Sequence, residues 1–241
     1  NLARSFRAPS LEERYKYIDL GNFVRLGDPA LEPESGFSVD LGIRKWQKNF
    51  NFQAGVFMNR ITNMIVEAPG EFIYTIITGT SGNTTDTLPA LINSNVSQAL
   101  LYGFDYNFEY NFLSDFVLYG TGSFVRGRDT ETGTDLPLIP PLKGRLGIRY
   151  TYYKIGSAEL IVTGASKQTR IAENEQETDG YVRLDMALSS DKIKLGETEL
   201  QVFAGIDNIL DKKYTNHLST NRGSISIEPG RNIFVRLNFS F

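Results

Sequence analysis

The chain has 241 residues, and its 25 basic and 28 acidic side chains give a formal net charge of −3. The chain therefore has no excess of basic residues such as nucleic-acid-binding proteins have, and we expect no nucleic-acid partner. Because the chain contains no cysteine, cysteine catalysis and thiolate metal sites are excluded. The 22 glycines, 16 phenylalanines and 12 tyrosines, with only 41% hydrophobic residues, are typical of β-barrels rather than of compact soluble cores.

Alternating apolar and polar residues predict about ten β-strands along the chain. No stretch approaches the long apolar run of a membrane helix, which excludes an α-helical membrane protein. Each predicted strand is near the roughly ten residues that a tilted strand needs to cross a bilayer. The predicted strands cover 1–6, 36–47, 50–66, 99–112, 115–127, 143–153, 157–169, 180–190, 198–208 and 231–241.

Two predicted strands have an especially regular pattern. Every even-numbered residue from Tyr102 to Phe112 is aromatic, and the odd-numbered residues between them are polar or glycine. The last strand is interrupted by Phe234 alone, and we expect its apolar side chains to face the membrane. These side chains are Ile233, Val235, Leu237, Phe239 and Phe241.

The lengths of the connections distinguish a membrane barrel from a soluble β-sandwich. Short turns are predicted near 47–49, 113–114, 154–156 and 191–197. They alternate with long polar segments near 7–35, 67–98, 128–142, 171–179 and 208–230. Short periplasmic turns and long extracellular loops alternate in this way in outer-membrane barrels. The pattern predicts one all-β domain over 1–241, a transmembrane antiparallel up-and-down barrel whose C-terminus is periplasmic.

Local phrases in the chain resemble those of TonB-dependent outer-membrane receptors. Ser5–Glu13 contains a Phe-Arg-Ala-Pro box, and Gly27–Glu34 is similar to an Asn-Pro-x-Leu-x-Pro-Glu phrase, with Asp28 in place of the usual Asn. Asp207–Tyr214 resembles the end of the penultimate strand. Glu228–Arg231 resembles the entry into a final strand that ends on Phe. Their order and spacing extend the resemblance over nearly the whole chain.

The resemblance implies a barrel of about 22 strands that follows a plug domain. The resemblance leads us to expect that this chain supplies about ten C-terminal strands of the barrel and does not include the plug domain. The resemblance also implies import across the bacterial outer membrane, driven by the TonB energy-transducing complex through the plug. The implied ligand is a scarce one, most often a ferric siderophore or a similar small metal chelate.

Other partners and functions follow from the same interpretation. We expect contacts with outer-membrane lipid and lipopolysaccharide, and with the barrel-assembly machinery during insertion. A haem or cobalamin importer of the same family is the alternative. A passive porin, an outer-membrane enzyme on a smaller barrel and a soluble β-sandwich binding module are the candidates from other classes.

Few residues in the chain suggest chemistry. No nucleophile lies beside a base in the sequence, and no metal-ligand spacing occurs, so we expect neither an enzyme nor a bound cofactor. His217, the single histidine, is expected to be a solvated loop residue, with a ligand contact at the pore mouth as the alternative. Tyr15 and Tyr17 lie between the first two phrases and could ligate ferric haem iron, although packing or sugar contacts are the commoner roles.

Charged residues are predicted on the polar faces of several strands. Arg145, Arg149 and Arg183 are the candidate ligand contacts, and Arg236 lies on the same face. One interpretation is a lumen lined by charges paired with Asp40, Asp105, Glu109 and Asp185. The other is a cationic path for an anionic ferric chelate, since the planar guanidinium suits carboxylate and catecholate groups. The polar segment 67–98 is expected to be a flexible loop for external contacts.

Overall fold

A computed structural model describes residues 1–77, 83–173, 175–223 and 225–240. The described residues form thirteen β-strands and two short helices. The helices are α1 (Leu11–Tyr15) and α2 (His217–Asn221). The strands are β1 (Leu2–Arg7), β2 (Tyr17–Asp19), β3 (Val24–Leu26), β4 (Glu34–Gln47), β5 (Phe50–Ile77), β6 (Asn83–Leu113), β7 (Phe116–Asp129), β8 (Lys143–Tyr152), β9 (Gly156–Ala165), β10 (Tyr181–Ser190), β11 (Ile193–Leu195), β12 (Thr198–Asp207) and β13 (Asn232–Ser240).

The strands form one sheet in which neighbours follow the chain. Its order is β1-β4-β5-β6-β7-β8-β9-β10-β12, with β13 beside β12, and all these pairs are antiparallel. The short strand β11 also pairs with β12, and β2–β3 is a small hairpin whose β3 runs parallel to β6. This confirms the predicted up-and-down topology and all ten predicted strands. Among the described residues β1 pairs only with β4 and β13 only with β12, so the sheet remains open.

One face of the sheet is apolar from edge to edge. Cross-strand pairing places Leu41 beside Val56, Val56 beside Phe104, and Phe104 beside Phe124. Much of this face is left uncovered by the described residues: Leu41 is 68% exposed, and Val235 in β13 is 67% exposed. A soluble protein rarely exposes such a continuous apolar surface, whereas a membrane barrel requires one. Phe241 lies outside the described residues.

Two of the aromatic residues that interrupt the alternation lie over glycines of a neighbouring strand. Phe57 and Phe234 lie on the polar face, and each pairs directly with a glycine, Gly103 and Gly205 respectively. An added Cβ at Gly205 would lie 2.5 Å from Cζ of Phe234, so the ring occupies the space above the glycine. Aromatic rings that cover cross-strand glycines stabilise sheets.

An aromatic belt borders the apolar face at the end that has the short turns. Ring centroids of Phe112 and Phe116 are 5.6 Å apart, and those of Phe116 and Tyr150 are 4.6 Å apart. From Phe112 to Tyr102 the strand β6 advances about 34 Å, or about 26 Å across a membrane at a tilt of about 40°. This height matches the apolar band of outer-membrane barrels, about 25 Å.

The prediction of a flexible loop near 67–98 is wrong for the part that the structure describes. The strands β5 and β6 remain paired from Phe50↔Tyr110 to Ile77↔Asn83, so the segment is a long β-hairpin. The abundance of Thr, Asn and Ser suggested a loop. However, the run from Phe72 to Ile77 is rich in β-branched and aromatic residues, which favour strands.

The remaining connections follow the predicted alternation of lengths. Turns of two or three residues join β4 to β5, β6 to β7 and β8 to β9, and β11 lies within the connection from β10 to β12. The longer segments all leave the opposite end of the sheet, which we call the loop end. Neither of the helices in the described residues is long and apolar enough to span a membrane.

Candidate ligand-binding loops and polar face

Arg7 connects the two ends of the segment 7–35. Ser10 caps α1 and forms a capping box with Glu13, in which each side chain bonds the other residue's backbone N–H. The Arg7 guanidinium pairs with Glu13 at 2.9 Å and with Glu34 at 2.6 Å. The Phe-Arg-Ala-Pro box and the Pro-Glu phrase are therefore in direct contact, and they fix the base of this segment on the sheet.

The β2–β3 hairpin lies against the long β5–β6 hairpin. Val24, the first residue of β3, pairs with Ala90 of β6 and is fully buried. Glu67 accepts from Lys16 Nζ at 2.5 Å and from Arg25 Nε at 3.0 Å, which couples the two hairpins by charge. Asn93 also donates to the Glu13 carbonyl at 2.9 Å. These contacts hold the segment 7–35 in one position at the loop end.

Tyr15 and Tyr17 lie on the surface of this segment. Tyr15 ends α1 and Tyr17 begins β2, and both side chains are more than half exposed. The Tyr17 ring contacts Phe72 edge-on with centroids 5.7 Å apart, and Phe72 stacks on Tyr74 at 6.3 Å. The structure thus joins the exposed Tyr17 to two half-buried aromatic residues, Phe72 and Tyr74. Sequence reasoning missed them because their segment was expected to be a loop.

The predicted arginines all lie on the polar face, but in different environments. Arg149 forms an ion pair with Glu159, which also accepts from the Tyr119 hydroxyl at 3.0 Å. Glu159 was missed because its pairing with Arg149 depends on the register of β8 and β9. Arg145 is exposed, and its side chain forms no hydrogen bond or ion pair with any described residue.

Arg183 and Arg236 are held by other groups on the polar face. Arg183 pairs with Asp185 at 2.9 Å and donates to the Tyr214 hydroxyl at 2.9 Å. Arg236 lies over the Phe203 ring, 5.1 Å from its centroid. Of the four expected acidic partners only Asp185 pairs with one of these arginines within the described chain. The interpretation of a lumen lined by paired charges therefore fits Arg149 and Arg183. The side chain of Arg145 remains free of described partners and stays the candidate ligand contact.

The phrase Asp207–Tyr214 is a structural anchor for the last long loop. Asn208 is buried and has a positive φ of 54°, a conformation that asparagine tolerates. Its N–H donates to Asp185 at 2.8 Å, and its side chain exchanges two hydrogen bonds with the backbone of Lys212, at 2.8 and 2.9 Å. The turn directs Tyr214 back to Arg183 on the polar face.

His217 is buried, so the prediction of a solvated loop histidine is wrong. Only 2% of the residue is exposed. Its Nδ1 lies 3.1 Å from the Thr178 hydroxyl and 3.1 Å from the Asn221 amide, and its Nε2 lies 4.0 Å from Glu175. Glu175 also accepts from the Leu138 N–H at 2.5 Å. This cluster joins the three loops that precede β8, β10 and β13.

We expect the His217 cluster to open at acidic pH. Burial lowers the pKa of His217 below its ordinary value, and the Glu175 carboxylate opposes this only in part. The unfolded loop therefore takes up a proton near pH 6.5, before the folded loop does. Neutral His217 contributes its full stabilisation of the folded loop above about pH 6.5. This contribution is lost as the pH falls from there through the lowered pKa of His217 in the folded loop. Hydrogen exchange of α2, corrected for intrinsic rates, should rise about threefold or more between pH 7.5 and pH 5.

The control for this prediction is His217→Gln, which cannot titrate. Its α2 exchange should be the same at both pH values after correction. Equal pH dependence in the variant and the natural protein would contradict the assignment.

A cavity of about 250 Å³ opens between two of these loops, beside the loop end of β7. Gln168 is buried and donates to the Ile139 carbonyl at 2.8 Å, which fixes the two walls together. Four charged residues line the cavity: Arg126, Asp135, Lys167 and Arg170. Arg126 lies 3.5 Å from Asp135 and Lys167 pairs with Glu177 at 3.0 Å, so among the described residues Arg170 is the basic group of the lining that has no ion pair.

A family model matches the sequence of this chain, and solved structures match its fold. Residues 1–209 match the family described as TonB dependent receptor-like, beta-barrel. No curated protein sequence matches the chain. The fold is similar to that of the copper transporter OprC, with a TM-score of 0.75 and 22% identity over 100% of this chain. The siderophore receptor PirA from Acinetobacter baumannii follows with a TM-score of 0.72 and 19% identity, also over 100% of this chain.

The ferric enterobactin receptor PfeA from Pseudomonas aeruginosa has a TM-score of 0.69 and 18% identity over 99% of this chain. The chain spans 36%, 38% and 37% of these three proteins, little more than a third of each. At these identities the similarity concerns the fold. The family match covers most of the sequence, and it agrees with the local phrases and with the up-and-down sheet. The chain therefore belongs to the TonB-dependent receptor-like β-barrel family.

Proposed function

We propose that this chain forms part of the wall and outer loops of a TonB-dependent outer-membrane transporter that imports a small metal chelate. The observation that carries the proposal is the two-sided sheet: one face is apolar and exposed, and the other has polar and charged groups. In a membrane these faces are suited to lipid and to a watery lumen. The family match supports the same role.

Orientation and partners follow from this role. The loop end faces outward, and the short turns and the end of β13 face the periplasm, as in other outer-membrane barrels. The TonB complex acts through the plug region, and outer-membrane lipid and lipopolysaccharide surround the wall. The barrel-assembly machinery inserts it. The role is transport rather than catalysis.

An anionic chelate fits the groups on the polar face. The guanidinium of Arg145 is exposed, and its planar donors match carboxylate and catecholate oxygens. Arg149 and Arg183 lie on the same face, but Glu159 and Asp185 pair with them, so Arg145 is the arginine of the three that offers an unpaired charge among the described residues. Of the similar structures, one is described as a siderophore receptor and another as a ferric enterobactin receptor. Their ligands support a ferric siderophore as the first candidate.

Haem or cobalamin is the second candidate. It is favoured by the exposed Tyr15 and by the cluster of exposed Tyr17 with half-buried Phe72 and Tyr74, because aromatic rings pack well against large planar ligands. A passive porin is the alternative from another class.

Uptake by the full-length protein tests the proposal. We expect labelled ferric catecholate siderophore to enter cells that have an active TonB complex and not cells that lack it. Arg145→Gln should reduce uptake about tenfold through the loss of one charge-assisted hydrogen bond. Lys48→Gln, at a short turn, is the matched control and should have no effect.

Other outcomes identify the alternatives. Uptake of haem or cobalamin, abolished by Tyr15→Phe with Tyr17→Phe, would select the second candidate. Entry of small solutes that does not depend on TonB would contradict the proposal and indicate a porin.

A further inference from the structure

Three arginines form a row at the loop end of the apolar face. Arg4 pairs with Phe37, and Phe37 pairs with Arg60. Arg60 pairs with Leu100, which in turn pairs with Arg128. The five residues thus lie side by side across β1, β4, β5, β6 and β7. Arginines two strands apart are separated by about 10 Å.

The row belongs to the face that we assign to lipid. Arg60 follows Met58 by two residues, and Leu100 precedes Tyr102 by two, so their side chains share a face with that pair. The aromatic belt lies at the opposite border of this face. The apolar band between the aromatic belt and Tyr102 is about 26 Å high. The arginine row lies two residues further along the strands, beyond Tyr102. This is the level of lipid headgroups.

Contacts among the described residues leave the charges of the row uncompensated. All three arginines are exposed. Arg60 donates to the Gln98 side chain at 2.6 Å, and Arg128 donates to the Gly133 carbonyl at 2.8 Å. The side chain of Arg4 forms no hydrogen bond with any described residue. No described carboxylate forms an ion pair with any of the three.

We propose that the row Arg4, Arg60 and Arg128 binds the phosphate groups of an anionic lipid in the membrane leaflet on the loop side. Guanidinium groups bind phosphate oxygens in a bidentate manner, and basic clusters beside a membrane attract anionic lipids. Arg126 lies on the same face, two residues before Arg128 and beside Tyr102. Because it lies 3.5 Å from Asp135, it adds a fourth positive charge that is partly compensated. The proposal depends on the membrane position of the sheet and not on the transported ligand.

Native mass spectrometry of the full-length protein tests this site. The probe is lipid A with two phosphates, and dephosphorylated lipid A is its counterpart. The variant Arg4→Gln with Arg60→Gln and Arg128→Gln should bind phosphorylated lipid A at least about tenfold more weakly. The corresponding Arg→Lys variant keeps the charge but loses the bidentate guanidinium, so its affinity should lie between those of the Gln variant and the natural protein.

The control variant replaces Lys48, Lys154 and Lys194 with Gln, which removes the same charge from the turn end. It should bind lipid A within about twofold of the natural protein. Heat-modifiable gel mobility reports whether each variant is folded. If the triple variant fails to fold, lipid A binding by the single variant Arg4→Gln tests the proposal instead. The Arg4 side chain has no described hydrogen bond, so its replacement removes a charge without breaking a contact of the fold.

Three results would overturn the proposal. The control could weaken binding as much as the triple variant, which would indicate net charge alone. Dephosphorylated lipid A could bind as tightly as the phosphorylated form. Inorganic phosphate alone could displace the bound lipid at millimolar concentration, which would indicate a free-anion site rather than a lipid site.

Discussion

Replacing Gly103 with alanine is expected to cause a severe loss of folded protein. A Cβ at this position would lie 2.1 Å from the Phe124 carbonyl oxygen and 2.9 Å from the Phe57 ring. The nearer contact is with the backbone of β7, which cannot move without breaking the pairing of β6 with β7. Overpacking of this kind costs about 3 kcal/mol. Gel mobility and urea unfolding of the full-length protein in lipid vesicles would measure the loss.

Gly42→Ala is the matched control for Gly103→Ala. It is also a strand glycine, on the polar face of β4, but the nearest atom to an added Cβ is the Ala54 carbonyl oxygen at an ordinary 3.6 Å. Alanine also reduces the entropy of the unfolded chain, so this variant should be as stable as the natural protein or slightly more so. Equal losses in both variants would contradict the steric explanation.

The sheet was predictable because each strand carries its own pattern. From Tyr102 to Phe112 the alternation is complete, and the predicted strand lies within β6 as observed. Phe57 and Phe234 broke the pattern because their positions depend on glycines in neighbouring strands. A single strand does not contain that information, so their role became clear only from the register.

The loops were less predictable for a related reason. The hairpin at 67–98 is held by contacts with a segment about fifty residues away, as in the pairing of Lys16 with Glu67. His217 is buried by Glu175 and Thr178, which lie in a different loop. Composition indicates that such segments are polar, but it does not specify which distant segments they contact.

The family phrases are explained by these long-range contacts. Arg7 joins the Phe-Arg-Ala-Pro box to Glu34, and Asn208 stabilises the turn that leads to Tyr214. Both are anchors at the base of long loops rather than ligand contacts. This explains why the phrases identify the barrel without indicating a ligand.

The central claim is that one face of the sheet meets lipid and the other meets water. Because this chain contains no cysteine, single cysteines can be introduced into it and labelled with a fluorophore, in a full-length protein whose cysteines outside this chain are replaced. Adjacent pairs sample the two faces: Asp40 with Leu41, Arg145 with Leu146, and Arg236 with Val235. We expect a lipid-soluble quencher to reduce fluorescence strongly at Leu41, Leu146 and Val235 and weakly at their neighbours, and a water-soluble quencher to do the reverse. Equal quenching within each pair would contradict the account.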